Sequence, residues 1–321
     1  MSSFLYFILP ALGGYTLTSL YLLKNPLVLH KRKRTAFYCT HISHRGGGGE
    51  RIESTMEAFT NAVQQGTQML EMDCRLTRDG HVVVSHDENL ERQTGLNDNI
   101  SSLNLQDLPL YKERLEVTFY AGHYSSGADR KFALLEDVFR KFPEVPVSIE
   151  IKENKENRES TNQLIEKVSD LVGRYNREEI TVWASVDSRI MEECRRTNAS
   201  MPYSFTKSRG VLLVLLFYSG LLPFVPLGES LLQFYLPRVI NRTFIPKEPI
   251  LKNKLLISLL ERITMRKSLF KHLAARGIQV HLFVCNEDED IKAAFDVGAT
   301  GVMSDYPSLL TSYFCRNRSQ D

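Results

Sequence analysis

The chain has little cysteine and almost no net charge. Its five cysteines (Cys39, Cys74, Cys194, Cys285 and Cys315) are scattered, odd in number and without metal-ligand spacing. No disulfide framework follows from them. Cys39, Cys74 and Cys285 fall in predicted strands and read as packed thiols. A formal charge of +2, with 40 Lys and Arg against 38 Asp and Glu, is too mild to argue for nucleic acid. What remains is 321 residues with 43% apolar content, enough to bury a large core as one barrel or two modest domains.

One long stretch carries no charge at all. Residues Phe4 to Leu23 are long enough to span a bilayer, and Lys24, Lys31, Arg32, Lys33 and Arg34 follow closely. The alternative, a cleaved signal peptide, lacks a basic leading region and a small-residue cleavage site here. The expected organisation is a transmembrane signal-anchor over 1–24, a basic linker over 25–36, a catalytic domain over 37–310 and a tail over 311–321. The basic cluster favours the cytosolic side. Four glycosylation triplets, at Asn99, Asn198, Asn241 and Asn317, lean toward the lumen, so the side stays open.

The densest chemistry lies between His41 and Asp87. His44 and Arg45 close an apolar-alternating run and open a loop of four glycines, whose backbone amides are expected to approach an anion closely. Ser54 to Glu57 has the form of a capping box, which predicts a helix over 55–65. Glu71 and Asp73 lie two apart on a predicted strand, so their carboxylates share a face about 6–7 Å apart. Arg78-Asp79-Gly80 predicts a tight turn, and Val82 to Val84 a buried strand ending at His86 and Asp87. Alone, each of these has an ordinary structural explanation. Together, two histidines, an arginine and two carboxylates at successive strand ends point to metal-assisted phosphoryl chemistry. His41 and His81 are less favourably placed and read as structural.

Further along, 88–132 is polar and turn-rich, weakly helical over 101–108. Strands are expected over 147–151, 179–184, 201–205, 278–284 and 300–304, and helices over 134–142, 164–175, 190–197 and 255–273. The uncharged run 211–227 contains Gly220, Pro223 and Pro226. A true crossing there would leave the last two strands on the wrong side of the membrane. An interfacial or re-entrant element is therefore expected within an apolar membrane-associated insertion over 206–270, with an ordinary buried helix as the alternative. Eight strands alternating with helices fit either a (β/α)8 barrel or a doubly wound open sheet.

Specific motifs carry a resemblance. H-R-G at His44, E-S-T-M-E-A-F from Glu53, L-E-M-D-C-R-L-T-R-D-G from Leu70, V-V-V-S-H-D-E-N-L-E-R-Q-T-G from Val82, S-I-E-I-K from Ser148 and G-A-T-G-V-M-S-D-Y-P from Gly298 resemble the glycerophosphodiester phosphodiesterase family over residues 40–310. With its amino-terminal anchor, the chain is most similar to the membrane-bound animal branch that acts as lysophospholipase D. The resemblance implies the TIM-type (β/α)8 barrel, with 88–132 as a small insertion over its mouth after the third strand. It also implies lysophospholipid substrates, lysophosphatidic acid as product and a membrane of the endoplasmic reticulum or perinuclear region. No protein partner and no nucleic acid is inferred.

Phosphodiester cleavage needs charge neutralisation, a nucleophile and a protonated leaving group. Glu71, Asp73 and Glu150 form an oxygen-donor set that suits one divalent cation, Ca²⁺ or Mg²⁺, and the family uses the matching positions this way. Arg45 and Lys152 are the candidate phosphate-binding groups. His44 and His86 are the candidate acid–base pair, roles unassigned, with His86 also weighed as a metal ligand. The family further implies attack by the adjacent glycerol hydroxyl and a cyclic phosphate. Ser54 stands where the family has asparagine, and Phe283 where it often has tryptophan. Asn286 and Asp305 are expected to brace the rim. Competing readings are hydrolysis of deacylated glycerophosphodiesters, a non-catalytic lysolipid-binding protein, and glycan cleavage, which would leave the histidines and Arg45 idle.

Overall fold

A computed structural model describes residues 2–154 and 158–318. The strands are β1 (His41–Ser43), β2 (Met69–Leu76), β3 (Val82–Val84), β4 (Arg114–Glu116), β5 (Tyr124–Ser126), β6 (Val147–Ile151), β7 (Thr181–Ala184), β8 (Leu231–Tyr235), β9 (Gln279–Phe283) and β10 (Gly301–Ser304). The helices are α1 (Ser2–Lys24), α2 (Met56–Gln64), α3 (Glu91–Thr94), α4 (Leu135–Lys141), α5 (Arg158–Arg174), α6 (Ser188–Thr197), α7 (Lys207–Ser219), α8 (Lys254–Thr264), α9 (Lys267–Ala275), α10 (Asp288–Asp296) and α11 (Pro307–Arg318). Seven strands pair in parallel in the order β7-β6-β2-β1-β10-β9-β8. Tyr203 and Ser204 fill the remaining gap, bridging Trp183 of β7 and Leu231 of β8. The sheet therefore closes on itself as an eight-stave (β/α)8 barrel, and the open doubly wound alternative falls away.

The expected number of staves is met, but by a different set. β3 is not a stave; it pairs antiparallel with β2. Only five residues separate the two strands, and a parallel partner needs a crossover of a dozen or more. The missing stave is β8, which lies inside the stretch expected to be one apolar insertion over 206–270. Leu231 and Leu232 of β8 are buried, and Gln233 reaches across the barrel to the hydroxyl of Ser148. That insertion therefore divides into α7 before a stave and α8 and α9 after it. The stave expected over 201–205 is reduced to two bridging residues, and the helix expected over 255–273 breaks at Met265 and Arg266 into α8 and α9. The weak helix over 101–108 is two short 3-10 turns.

Strand alternation decides what enters the barrel. Successive side chains point to opposite faces, so Met69, Glu71 and Asp73 share the inner face of β2 while Leu70, Met72 and Cys74 join the outer core beneath the helices. Ile42, Met69, Val182, Leu231 and Met303 form one apolar cluster filling the axis. Above that plug the same inward positions become ionisable: His44, Glu71, Asp73, Glu150 and Asp305.

The glycine loop differs from its expected role. The amides of Gly47 and Gly48 donate to the His44 carbonyl, and that of Gly49 to the Asp305 carbonyl. They are used up within the chain. Gly46 and Gly47 adopt φ of +75° and +87°, and a Cβ at Gly46 would sit 2.5 Å from the Phe59 ring. Glycine is thus required for a left-handed turn pressed against α2. Thr55, not Ser54, caps α2, its hydroxyl accepting from the Ala58 amide. Ser54 sits just before the cap with φ +61°, a conformation asparagine tolerates better.

Among the described residues, Tyr6–Lys24 of α1 is a helix long and apolar enough to cross a membrane, with mean hydropathy 1.3. The strands flanking α7 belong to one barrel, so α7 itself does not cross. Gly46→Ala should lower unfolding stability by roughly 2–5 kcal/mol, combining left-handed strain with overpacking. Gly66→Ala, at φ +83° but with open space around it, should cost only about 1–2 kcal/mol. Urea unfolding of the two variants side by side measures the difference.

Candidate active site

The carboxyl ends of the staves bring together His44, Arg45, Glu71, Asp73, Glu150 and Lys152, and the segment after the antiparallel β3 adds His86. Asp73 and Glu150 are register partners across β2 and β6. With Glu71, they present carboxylate oxygens all within 4.8 Å of one another. Glu71 and Asp73 are buried and Glu150 is half-buried. One Glu71 oxygen accepts the Arg45 amide at 2.9 Å. Asp73 faces the Lys152 ammonium at 2.6 Å, yet neither of its oxygens accepts a hydrogen bond of good geometry. Hard oxygen donors without nitrogen or sulfur, converging with unspent lone pairs, fit a divalent cation such as Ca²⁺ or Mg²⁺.

Crowded carboxylates cannot all ionise easily. Burial, and then the adjacent Asp73 charge, pushes Glu71 up to about 7. Burial also opposes the charge on Asp73, but Lys152 and the other nearby cations outweigh it and hold this carboxyl well below its usual range. Burial raises Glu150 as well. Lys152 caps the carboxylates, its ammonium 3.9 Å from Glu150.

The two imidazoles occupy contrasting environments. His44 Nδ1 lies 2.6 Å from Asp305 Oδ1, and the Asn286 amide donates to the other Asp305 oxygen at 2.8 Å. Burial works against a positive charge on His44, but the Asp305 carboxylate more than offsets it, leaving His44 above the usual imidazole value. Asn286 and Asp305 thus do more than brace the rim, since Asp305 fixes the ring that its partner presents. His86 Nδ1 contacts Asp87 Oδ1 at 2.6 Å. Burial, followed by repulsion from Arg45, pushes His86 down to about 4. His86 is not among the ligand atoms that converge with the three carboxylates.

Arg45 is buried and strained, at φ +49°. Its Nη1 donates at 3.2 Å both to Glu53 and to the Thr118 hydroxyl, and its Nε lies 3.9 Å from Asp73. Glu53 also takes hydrogen bonds from Arg92 at 2.5 Å and Gln93 at 3.0 Å. Burial opposes the charge of Glu53, but Arg92 and Arg45 hold its carboxyl well below the usual range. Arg92, Gln93 and Thr118 were not legible as site residues. Arg92 and Gln93 fall in the E-R-Q-T-G end of the motif that starts at Val82, which marks the family without assigning them a role, and Thr118 sits in the polar stretch 88–132 outside any motif.

An aromatic wall lines one side. The Phe119 edge meets the His44 ring at 5.3 Å between centroids and stacks on Phe244 at 4.6 Å, and Tyr235 packs on Phe283 at 4.5 Å. Phe119 comes from the loop before β5, Tyr235 from β8 and Phe244 from the connection to α8. Only Phe283 was expected there. Beyond Phe244, Ile245, Ile250, Leu255 and Leu259 are exposed, Leu255 by 83%.

A profile of the Glycerophosphoryl diester phosphodiesterase family matches residues 44–309. The chain belongs to that family. It is 49% identical over 313 residues to the Homo sapiens lysophospholipase D GDPD3, covering 98% of this chain and 96% of the relative. To the Homo sapiens lysophospholipase D GDPD1 it is 48% identical over 308 residues, covering 96% of each. Among solved structures, an Oleispira antarctica phosphodiesterase in complex with the product sn-glycerol-3-phosphate aligns with TM-score 0.59 at 17% identity, over 87% of this chain and 98% of that one. The Thermotoga maritima glycerophosphodiester phosphodiesterase aligns with TM-score 0.57 at 19% identity, over 86% and 99%. These structures share the barrel, and the enzyme is a phosphodiesterase of this family.

Removing the charge of Glu53 takes the shared carboxylate from Arg45 and Arg92, leaving Arg92 with Asp87 and Arg45 with the more distant Asp73. Glu53→Gln should cost about 3–5 kcal/mol of stability, read as a lowered denaturant midpoint.

Proposed function

We propose that this phosphodiesterase is a membrane-anchored lysophospholipase D, cleaving lysophospholipids to lysophosphatidic acid and the headgroup alcohol. The observation that carries the reading is the convergence of three carboxylates with two imidazoles driven toward opposite protonation states. Glu71, Asp73 and Glu150 would hold the divalent cation. When bound, it would supply positive charge opposite the non-bridging phosphate oxygens.

The protein's own groups do the rest. His44, kept protonated by Asp305, donates its proton to the leaving alkoxide oxygen as the P–O bond breaks. His86, kept neutral by burial and Arg45, accepts a proton from the attacking hydroxyl, either water or the free glycerol hydroxyl of the substrate. Attack by the latter gives a cyclic phosphate that water then opens. Arg45 and Lys152 balance phosphate charge; Arg45 is positioned for this by Glu53 and Thr118. His86 acts as base rather than as a metal ligand in this scheme.

The acylated substrate is favoured over a deacylated glycerophosphodiester by the apolar route out of the site. Phe119, Tyr235 and Phe244 begin it, and the exposed residues from Ile245 to Leu259 continue it toward the surface. A small polar diester gains nothing from that route. α1 would anchor the chain in an endoplasmic reticulum or perinuclear membrane, with α7 associated at the interface. The high identity to two lysophospholipases D over nearly their full lengths supports the same reading.

Assays of lysophosphatidylcholine and glycerophosphocholine side by side test it. Phe244→Ala should lower kcat/KM for the lysolipid by about tenfold or more, from lost apolar contact, and change the deacylated substrate by less than about twofold. Equal losses on both would overturn the acyl assignment. Glu71→Gln should lower turnover on the order of a hundredfold and leave lipid binding intact.

The pH profile follows from the two imidazoles. The productive form has His44 protonated and His86 neutral. Activity should therefore rise with pH as His86 loses its proton near about 4, and fall on the alkaline side as His44 loses its own above the usual imidazole value. Asp305→Asn removes the carboxylate that favours protonated His44, so its alkaline limb should move to lower pH. An unmoved limb in the kcat/KM profile would reverse the acid–base assignment.

A further inference from the structure

A second cavity lies away from the reaction, where the anchor meets the barrel. The Tyr15 hydroxyl donates to the Ser219 carbonyl and the Ser19 hydroxyl to that of Gly220, both at 2.6 Å. The Leu23 carbonyl takes a hydrogen bond from His272 Nδ1 at 2.9 Å. These three ties pin α1 against the end of α7 and the flank of α9. Between them is a cleft of about 720 Å³, within the range of about 300–1,000 Å³ usual for ligand pockets.

The lining divides into an apolar part and a cationic part. Leu20, Leu23, Phe217 and Pro223 supply the first, and Lys24, Arg266 and Lys271 the second. No carboxylate lines it. Among the described residues, none of these three cations is in an ion pair. His272 adds an independent requirement. It is 1% exposed, and its Nε2 has no hydrogen-bond partner. A carbonyl only accepts, so Nδ1 carries the hydrogen toward Leu23. Burial pushes His272 down to about 4, which leaves Nε2 a bare acceptor needing a hydroxyl donor. A buried acceptor without a partner is destabilising.

We propose that this cleft binds a single-chain anionic glycerolipid drawn from the bilayer, with its phosphate among Lys24, Arg266 and Lys271 and its free glycerol hydroxyl on His272 Nε2. The acyl chain lies along Leu20 and Phe217. Lys24 ends the apolar run of α1, so the cations sit at headgroup level while the apolar lining extends into the depth of the anchor. A diacyl lipid has no free glycerol hydroxyl, and a zwitterionic headgroup brings its own cation among three others. The proposal rests on α1 being membrane-embedded and not on the reaction at the barrel mouth.

The test uses the full chain in phosphatidylcholine nanodiscs and a single-chain phosphate-monoester glycerolipid bearing a photoreactive diazirine in its acyl chain. Crosslinks mapped by mass spectrometry should fall on peptides covering 15–24 and 213–223. Lys24→Glu combined with Lys271→Glu, both at exposed positions, should reduce that labelling at least fivefold. A phosphocholine version of the probe should label at least fivefold less than the phosphate monoester. His272→Phe should also reduce it, with thermal unfolding checked against wild type; if that variant misfolds, the lysine pair decides alone. Labelling confined to barrel-mouth peptides, or insensitive to the lysine reversals or to probe charge, would overturn the proposal. Release of the wild-type chain from native membranes by alkaline carbonate would instead overturn the anchored reading on which it stands.

Discussion

A guanidinium buried at the barrel rim dictates much of what surrounds it. Arg45 can remain charged there only because Glu53, Asp73 and Glu71 compensate it, and taking such a charge from water without partners costs several kcal/mol. Satisfying it pulls Glu53 inward and draws the insertion down through Thr118, and Glu53 in turn recruits Arg92 and Gln93. The same charge lowers His86. One electrostatic requirement therefore ties together the loop after β1 and the cover over the site, and adds to the burial that lowers His86.

The barrel supplies the contrast between the two imidazoles. His44 and Asp305 project inward from neighbouring staves β1 and β10, so their contact is set by sheet register rather than by loop flexibility. His86 takes its carboxylate partner from the next residue in the chain. Arg45 and Lys152 disfavour protonation of His86, whereas His44 has Asp305 and Glu71 in its favour. Two like side chains are thus tuned apart by what the staves place beside them.

Helix α1 is part of the folded unit rather than a tether. Its carboxyl-terminal turns bond α7 and α9, and the basic linker continues the attachment, with the Lys33 amide bonded to the Arg276 carbonyl at 2.8 Å. The barrel is therefore held at a defined attitude to α1.

Much of this was legible because it depends on short-range spacing. A spacing of two, with Met72 alone between Glu71 and Asp73, puts both on one face of any strand, and the chemistry of His44, Arg45 and His86 is local to their motifs. The apolar run of α1 needs no tertiary context to be recognised. Other features depend on partners distant in the chain. Val82–Val84 has the composition of a stave, yet the short turn before it permits only antiparallel pairing. Leu231–Tyr235 was hidden by the uncharged run preceding it, since hydropathy does not distinguish a barrel stave from membrane-facing chain. The glycine loop read as an anion cradle because its amides are available in isolation; folded, those of Gly47, Gly48 and Gly49 are taken by His44 and Asp305. Sequence alone determined which ionisable groups exist and which face of each strand they share, because alternation is a property of the backbone. Only the closed barrel decided which of those groups meet and how unlike the surroundings of the two imidazoles are, because burial and Coulomb interactions act through space.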